Sequence, residues 1–326
     1  MNRKEYIDIM KGIGIISVVA GHTYIGITKQ IIFLFHMPLF FFLGGYLFKT
    51  RTNQLQYIKD KSIHLLLPYI SFLLLLYFPF YYPSASNSFH ASSWFNYFAI
   101  PIVGGQALST IVGVFWFVTC FFVTQQLFNV LTLKFSNLKL QIVLILFLII
   151  SYINSTFYID FWLPWNINVV FAAIPFFYIG FLFKNSQLKI KSWLLITLST
   201  LVFISSFFIT TNTYDMKYAK YGIPFVTFFS SVIIILFIKL ISSKIEKYKY
   251  ISTPFTAIGK ASMTIMYLHI PIKLLINYYL TTDKTFTFIS AILISFSFHL
   301  LFLKFRISSA LLLGSKKDYI NIIRTK

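Results

Sequence analysis

Long apolar runs separated by short basic or aromatic stretches set the rhythm of this chain. About ten of these runs approach or reach the length of a membrane-crossing helix. They are Ile9 to Ile27, Ile31 to Phe48, Ile63 to Tyr82, Ile111 to Leu131, Leu140 to Ile153, Ile167 to Phe183, Trp193 to Thr211, Gly222 to Ile241, Ala261 to Leu280 and Phe286 to Lys304. The fifth is short, so its ends are expected to reach into neighbouring polar sequence. The pattern predicts an all-α polytopic membrane helix bundle of about ten transmembrane helices. Arg3 and Lys4 before an apolar stretch ending in Ala20 and Gly21 resemble a secretory signal. The next apolar run begins at Ile31 and no soluble domain follows, so a retained helix is expected instead.

Composition agrees with that reading. A chain of 326 residues that is 58% hydrophobic and 11% charged has more apolar surface than one soluble core can hide. A net charge of +20 would suggest nucleic acid in a soluble domain, but here the cations sit in short segments between spans and report orientation. Of the 28 Lys and Arg residues, all but Lys29, Lys217, Lys220, Lys273 and Lys284 fall on one side of the arrangement. The positive-inside rule then places both termini in the cytoplasm. Cys120 is the only cysteine and lies in a span, which excludes an internal disulfide and a cysteine-based metal site.

The first span holds the most informative chemistry. Lys11 and His22 are separated by roughly three helical turns, ~16 Å along the axis, and so share one face. Ionisable groups inside a membrane segment are costly and mark a pathway or a reaction site. The second span returns after a short turn, which brings His36 to a depth close to that of His22, and His269 sits near the middle of the ninth span. Each histidine alone could be a packing residue satisfied by a neighbouring helix; three together favour a site. Lys61, His64, Gln125, Gln126, Lys260 and His299 form a second polar group at the inner face, where snorkelling to headgroups is the simpler reading residue by residue. On the outer side, Pro83 to Thr110 and Asn154 to Asn166 are rich in aromatics, with Tyr158, Trp162 and Trp165 around Asp160. Most of these rings suit an interfacial belt, and some suit a platform for sugar rings.

The segments IDIMKGIGIISVVAGH, FHMPLFFFLGGYLF, KSIHLLLPY, VFWFV and IGKASMTIMYLHIPI, in this order and spacing, resemble the membrane acyltransferase family 3. The branch they resemble most is that of the fucose 4-O-acetylase-like glycan O-acetyltransferases, and the resemblance covers essentially the whole chain. It implies a single integral-membrane acyltransferase domain over residues 1–326 in a bacterial-type cytoplasmic membrane. Lys11 and His22 stand where the family has a basic residue, more often Arg, and a histidine. Lys61 and His64 stand where it usually has two basic residues, and Gly44-Gly45 replaces a Ser-Gly pair.

The resemblance further implies transfer of an acyl group, usually acetyl, from cytoplasmic acyl-coenzyme A to a hydroxyl of a surface or lipid-linked glycan, with no permanently bound cofactor. Lys11, Lys61 and His64 would then hold the donor's phosphates. His22 would act as general base, assisted by His36, since an imidazole with an ordinary pKa near 6.5 suits proton removal from a sugar hydroxyl. Trp116, His269 and Asp160 are candidates for acceptor contact. The other partners are membrane lipid and no nucleic acid. A glycan exporter or flippase remains the alternative; transport does not require Lys11 and His22 to share a face.

Overall fold

The computed structural model describes residues 5–80, 91–185 and 190–324. The expected end of the third span at Tyr82, the start of the loop from Pro83, and the cations Arg3, Lys4, Lys189 and Lys326 lie outside these residues. In chain order the helices are α1 (Glu5–Thr23), α2 (Ile27–Leu47), α3 (Gln54–Phe80), α4 (Ala91–Val103), α5 (Trp116–Lys134), α6 (Asn137–Phe157) and α7 (Ile167–Asn185). They continue with α8 (Ser192–Phe208), α9 (Val226–Ile245), α10 (Lys249–Lys260), α11 (Ser262–Tyr279), α12 (Lys284–Lys304), α13 (Arg306–Leu313) and α14 (Lys316–Arg324).

The protein is a multi-pass membrane protein, and among the described residues 7 helices are long and apolar enough to cross a membrane. These are α2, α3, α5 with the turn leading into it, α6, α7, α9 and α12. The other expected spans are helical but fall short of that measure. α8 has 17 residues, α1 is interrupted by Asp8, Lys11 and His22, and α11 by His269, Lys273 and Asn277. Four helices lie in stretches that read as loops or tails in the sequence: α4, α10, α13 and α14.

α1 is the centre of the bundle, packed against α2, α9, α10, α11 and α12. Two small-residue contacts let backbones touch at the distances membrane helices need. A Cβ on Gly12 or Gly259 would collide with the backbone of the facing helix, Phe255 in one case and Asp8 in the other, so α10 lies directly along the first half of α1. Gly45 and Gly180 seat α2 on α7 in the same way, against the backbone of Phe177 and Phe42. That close crossing explains the glycine at position 45. Pro38 inside α2 cannot donate to Leu34 one turn earlier. The Ser231 hydroxyl of α9 donates to the Leu34 carbonyl instead, the usual way a membrane bundle absorbs a helix-interior proline.

The two ends of the bundle differ. At one end meet the start of α1, the ends of α2, α5, α7, α9 and α12, and the helices α10, α13 and α14; most of the cations are here. Contacts across it include the Lys184 ammonium on the Phe48 carbonyl, Tyr6 N–H on the Glu246 carboxylate, and Lys316 with Asp60 at 2.6 Å. At the opposite end the chain runs in irregular loops over residues 104–115, 158–166 and 209–225.

Candidate active site

One cavity of about 1050 Å³ collects most of the residues singled out in the sequence. Lys11, His22, His36, Lys61, His64 and Trp116 all line it, together with residues from both ends of the bundle. Its basic end is lined by Lys11, Lys49, Arg51, Lys61, His64, Lys316 and Lys317, with Asp60 among them. The middle is apolar, walled by Ile15, Val18, Met37, Phe40, Phe117 and Met266. The far rim carries Lys29, Thr110, Asp215, Lys217 and Tyr218. The volume is at the upper end of the range for pockets that enclose a drug-sized ligand.

Local structure explains how the basic end is held. α3 contains two π-helical turns, Ser62–Leu66 and Leu73–Tyr77, a feature that clusters at functional sites because it shifts the side chains of a helix. His64 lies in the first of them, with its Nδ1 3.4 Å from the Gly314 carbonyl. The close approach needs a glycine, since Gly314 has a positive φ of 64° and a Cβ there would meet the His64 backbone. Arg51 is fixed through its backbone: Asn129 accepts its N–H at 2.8 Å and donates to its carbonyl at 2.9 Å. The Lys61 ammonium stands 5.6 Å from the centre of the Tyr57 ring, and the Tyr57 hydroxyl donates to Gln125 at 3.2 Å. Lys11 pairs with Asp8 at 3.7 Å, one turn back on the same helix.

Deeper in, His22 and His36 line the narrow part, with His269 beside them. His36 is hydrogen-bonded to its own helix and not to His22. Its Nδ1 lies 2.8 Å from the Ile32 carbonyl, and Phe33 packs against both rings, 4.7 Å from His36 and 6.3 Å from His22 between centroids. His269, a candidate for acceptor contact in the sequence, is the histidine beside His22, with ring centroids 5.4 Å apart. It is fully buried and lies behind the cavity wall. The register between the first and ninth spans is a tertiary fact, invisible in spacing alone.

At the far rim, Asp160 is exposed and away from the cavity. Asn154 donates to the Tyr158 carbonyl at 2.7 Å and Asn168 accepts the Leu163 N–H at 3.1 Å, which turns the intervening segment outward. The acid that reaches the cavity at this rim is Asp215. Burial raises its pKa, against the lowering effect of Lys29 and Lys217. Burial pulls the Lys217 ammonium down to about 8, partly offset by Asp215; the ammonium donates to the Leu108 carbonyl at 2.7 Å. Of the inner polar group, Gln125 lines the cavity. Gln126 accepts from Gln54, His299 is paired with Thr264 at 2.9 Å, and Lys260 is exposed.

Sequence reasoning missed Lys29, Arg51, Asp215, Lys217, Lys316 and Lys317 as wall residues. Their only signal in the sequence is charge, and for the cations among them charge also reports the orientation of the chain. Chemically, the cavity offers anion-binding groups at one end, an apolar passage of three helical turns, an imidazole at its narrow part and a polar rim beyond.

Comparison with known proteins agrees with the motifs. The family model described as "Acyltransferase domain" matches residues 4–303. "Nodulation protein NolL" of Sinorhizobium fredii (strain NBRC 101917 / NGR234) is 26% identical over 219 residues, which is 60% of this chain and 54% of that protein. The chain thus spans about half the length of that curated relative. No solved structure matches.

Proposed function

This chain belongs to the membrane acyltransferase family 3, and on that premise we propose that it carries an acetyl group from acyl-coenzyme A to a hydroxyl of a cell-surface or lipid-linked glycan. The basic end faces the cytoplasm of a bacterial cell and the rim of Lys29, Asp215 and Lys217 faces outward, in line with the distribution of cations along the chain. Residues 1–326 act as one integral-membrane domain.

The observation that carries this reading is that one and the same cavity is lined at one end by Lys11, Lys61 and His64 and deeper by His22. Acyl-coenzyme A is a multiply phosphorylated anion on a long narrow arm. Cations at the mouth hold its phosphates, with Arg51 suited to bidentate contact, while the arm extends along the apolar passage. The distance from Lys11 to His22, ~16 Å along α1, brings the thioester to the imidazole. The acceptor hydroxyl enters from the opposite rim, past Trp116.

His22 then acts as general base. Its bare ring nitrogen takes the hydroxyl proton as the oxygen attacks the thioester carbonyl. The tetrahedral intermediate collapses with cleavage of the C–S bond, and the departing thiolate takes the proton from the imidazolium. Atoms and charge balance with no further reactant. Positioned proton transfer of this kind is worth about 10²- to 10⁴-fold in rate, and fixing both substrates in one channel adds an orientation term. His36 contributes from the same wall without touching His22.

Comparing acetyl esters on surface glycans of cells with and without the gene tests this function; the expected result is loss of one ester on deletion, and an unchanged ester profile contradicts it. A cavity reached from both ends also favours a second reading, glycan export. Flux of glycan through proteoliposomes in the absence of acyl-coenzyme A would decide for export.

A further inference from the structure

His269 is 0% exposed, and its Nδ1 lies 2.9 Å from the carbonyl oxygen of Ile265, one turn earlier on α11. A carbonyl only accepts, so Nδ1 carries the ring proton and Nε2 is a bare acceptor. Among the described residues that Nε2 has no hydrogen-bond partner. Buried polar atoms are rarely left so without a reason. The neighbouring His22 ring has no hydrogen bond to any described residue either, although a neutral imidazole has one N–H to donate.

The two rings complement each other. An N–H···N bond of about 3 Å between imidazoles, each nitrogen roughly 1 Å from its ring centre, separates the centroids by about 5 Å; the observed separation is 5.4 Å, with the rings tilted by 39°. The helices that carry them are tied together at the same level. Lys273, one turn beyond His269, donates from its ammonium to the backbone carbonyl of His22. This contact fixes the last turn of α1 against α11.

We propose that His269 is a positioning residue for the reaction proposed above: its Nε2, unpartnered in the structure, accepts the N–H of His22 after a small rotation of either ring, so that the other nitrogen of His22 is held bare and turned to the cavity. Without that acceptor, His22 would distribute its proton between both nitrogens, and a fraction of molecules would present an N–H where a base is needed. With it, the imidazolium formed during transfer keeps one donor bond, and the proton available to the leaving thiolate is the one on the cavity side. A carboxylate in the same place would do this by burying a charge at membrane depth, which is expensive. A neutral imidazole whose own tautomer is locked by the Ile265 carbonyl does it without charge. The inference rests on the acyl-transfer reading for its consequence, while the hydrogen bond itself does not.

Solid-state NMR of the protein in lipid vesicles, with ¹⁵N-labelled histidine, tests it directly; the chain has 6 histidines, and a His22→Asn variant assigns the His22 signals. The expected spectrum shows one neutral tautomer for His22 and an N–N coupling to Nε2 of His269. In His269→Leu the His22 signals should split into both tautomers, and His269→Gln, which restores an acceptor oxygen, should return them to one. A mixed His22 tautomer in the native protein, or a single tautomer that survives in His269→Leu, overturns the proposal. If His269→Leu fails to fold, the native coupling still decides: its absence overturns the proposal. Acetyl transfer adds the mechanistic arm, with kcat expected to fall about tenfold or more in His269→Leu, KM for acyl-coenzyme A unchanged, and kcat recovered in part by His269→Gln. Intact coupling in a protein with no acyl transfer would count against the acyl-transfer reading alone.

Discussion

The two mouths of the cavity are built on opposite principles. At the basic end the lining cations project from helix ends and short connections with ordinary backbone geometry; among the described residues of this end only Gly314 has a positive φ. At the far end, Thr110, Trp165, Asn166, Ala219 and Phe225 all have positive φ, as do Gly104, Gly105 and Gly222. A left-handed conformation at a non-glycine residue costs about 1–3 kcal/mol and persists only when its surroundings hold it. They do so here: Asn166 donates to the Lys217 carbonyl at 3.0 Å, Trp165 to the Ile102 carbonyl at 2.9 Å, and Lys217 to the Leu108 carbonyl at 2.7 Å. A ring of cations suits a polyanion common to many enzymes. Interlocked, strained loops suit one particular shape; on the proposed function, donor capture belongs to the first mouth and acceptor discrimination to the second.

The largest expected effect lies between the mouths. His22→Ala should lower acetyl transfer by about 10²-fold or more while acyl-coenzyme A still binds, as measured by binding of radiolabelled donor to purified protein. His36→Ala should lower the rate less. A packing histidine would behave otherwise, with folded protein and binding lost together.

At the basic mouth, Arg51→Ala or Lys11→Ala should weaken acyl-coenzyme A binding about tenfold, the value of one charge-assisted contact. Lys11→Arg should preserve it. The loss should shrink as salt is raised, because these charges sit at a wet mouth. Acceptor KM should not move. Unchanged donor affinity in Lys11→Ala would leave that lysine as a headgroup anchor.

At the rim the pattern reverses: Asp215→Asn should raise acceptor KM about threefold to tenfold and leave donor binding alone. Lys217 sharpens the point through pH. Its ammonium is held down to about 8 by burial, so it is charged at neutral pH and neutral above pH 9. Acceptor KM should therefore rise as pH passes through 8, with the step absent in Lys217→Met. The smallest effect belongs to the strained loops. Ala219→Gly removes a left-handed alanine, with φ 52°, and should stabilise the protein by less than about 1 kcal/mol, seen as a slight rise in thermal midpoint.

The sequence carried the donor side further than the acceptor side, for a physical reason. Lys11 and His22 share a helix, so their relation follows from helical spacing alone, and the short turn after α1 gives the depth of His36 almost as directly. His269 and Asp215 reach the site only through the packing of α11 on α1 and the folding of the 209–225 loop, which no local period encodes. Asp160 is exposed and away from the cavity, and an acid in an aromatic loop looks the same in sequence whether its loop turns inward or outward. The segment of α10 reads as a connection in the sequence because Pro254 and its polar residues hide an amphipathic helix, and the glycines that seat it, Gly12 and Gly259, acquire meaning only once the two helices face each other.

On the proposed function, donor and acceptor enter one cavity from opposite faces of the membrane. Vesicles of both orientations from the producing cell, which carry the native acceptor, allow it to be measured with radiolabelled acetyl-coenzyme A supplied only from outside. Inside-out vesicles, which expose the basic end, should incorporate alkali-labile label into glycan, and right-side-out vesicles should not. Equal incorporation by sealed right-side-out vesicles would contradict the account.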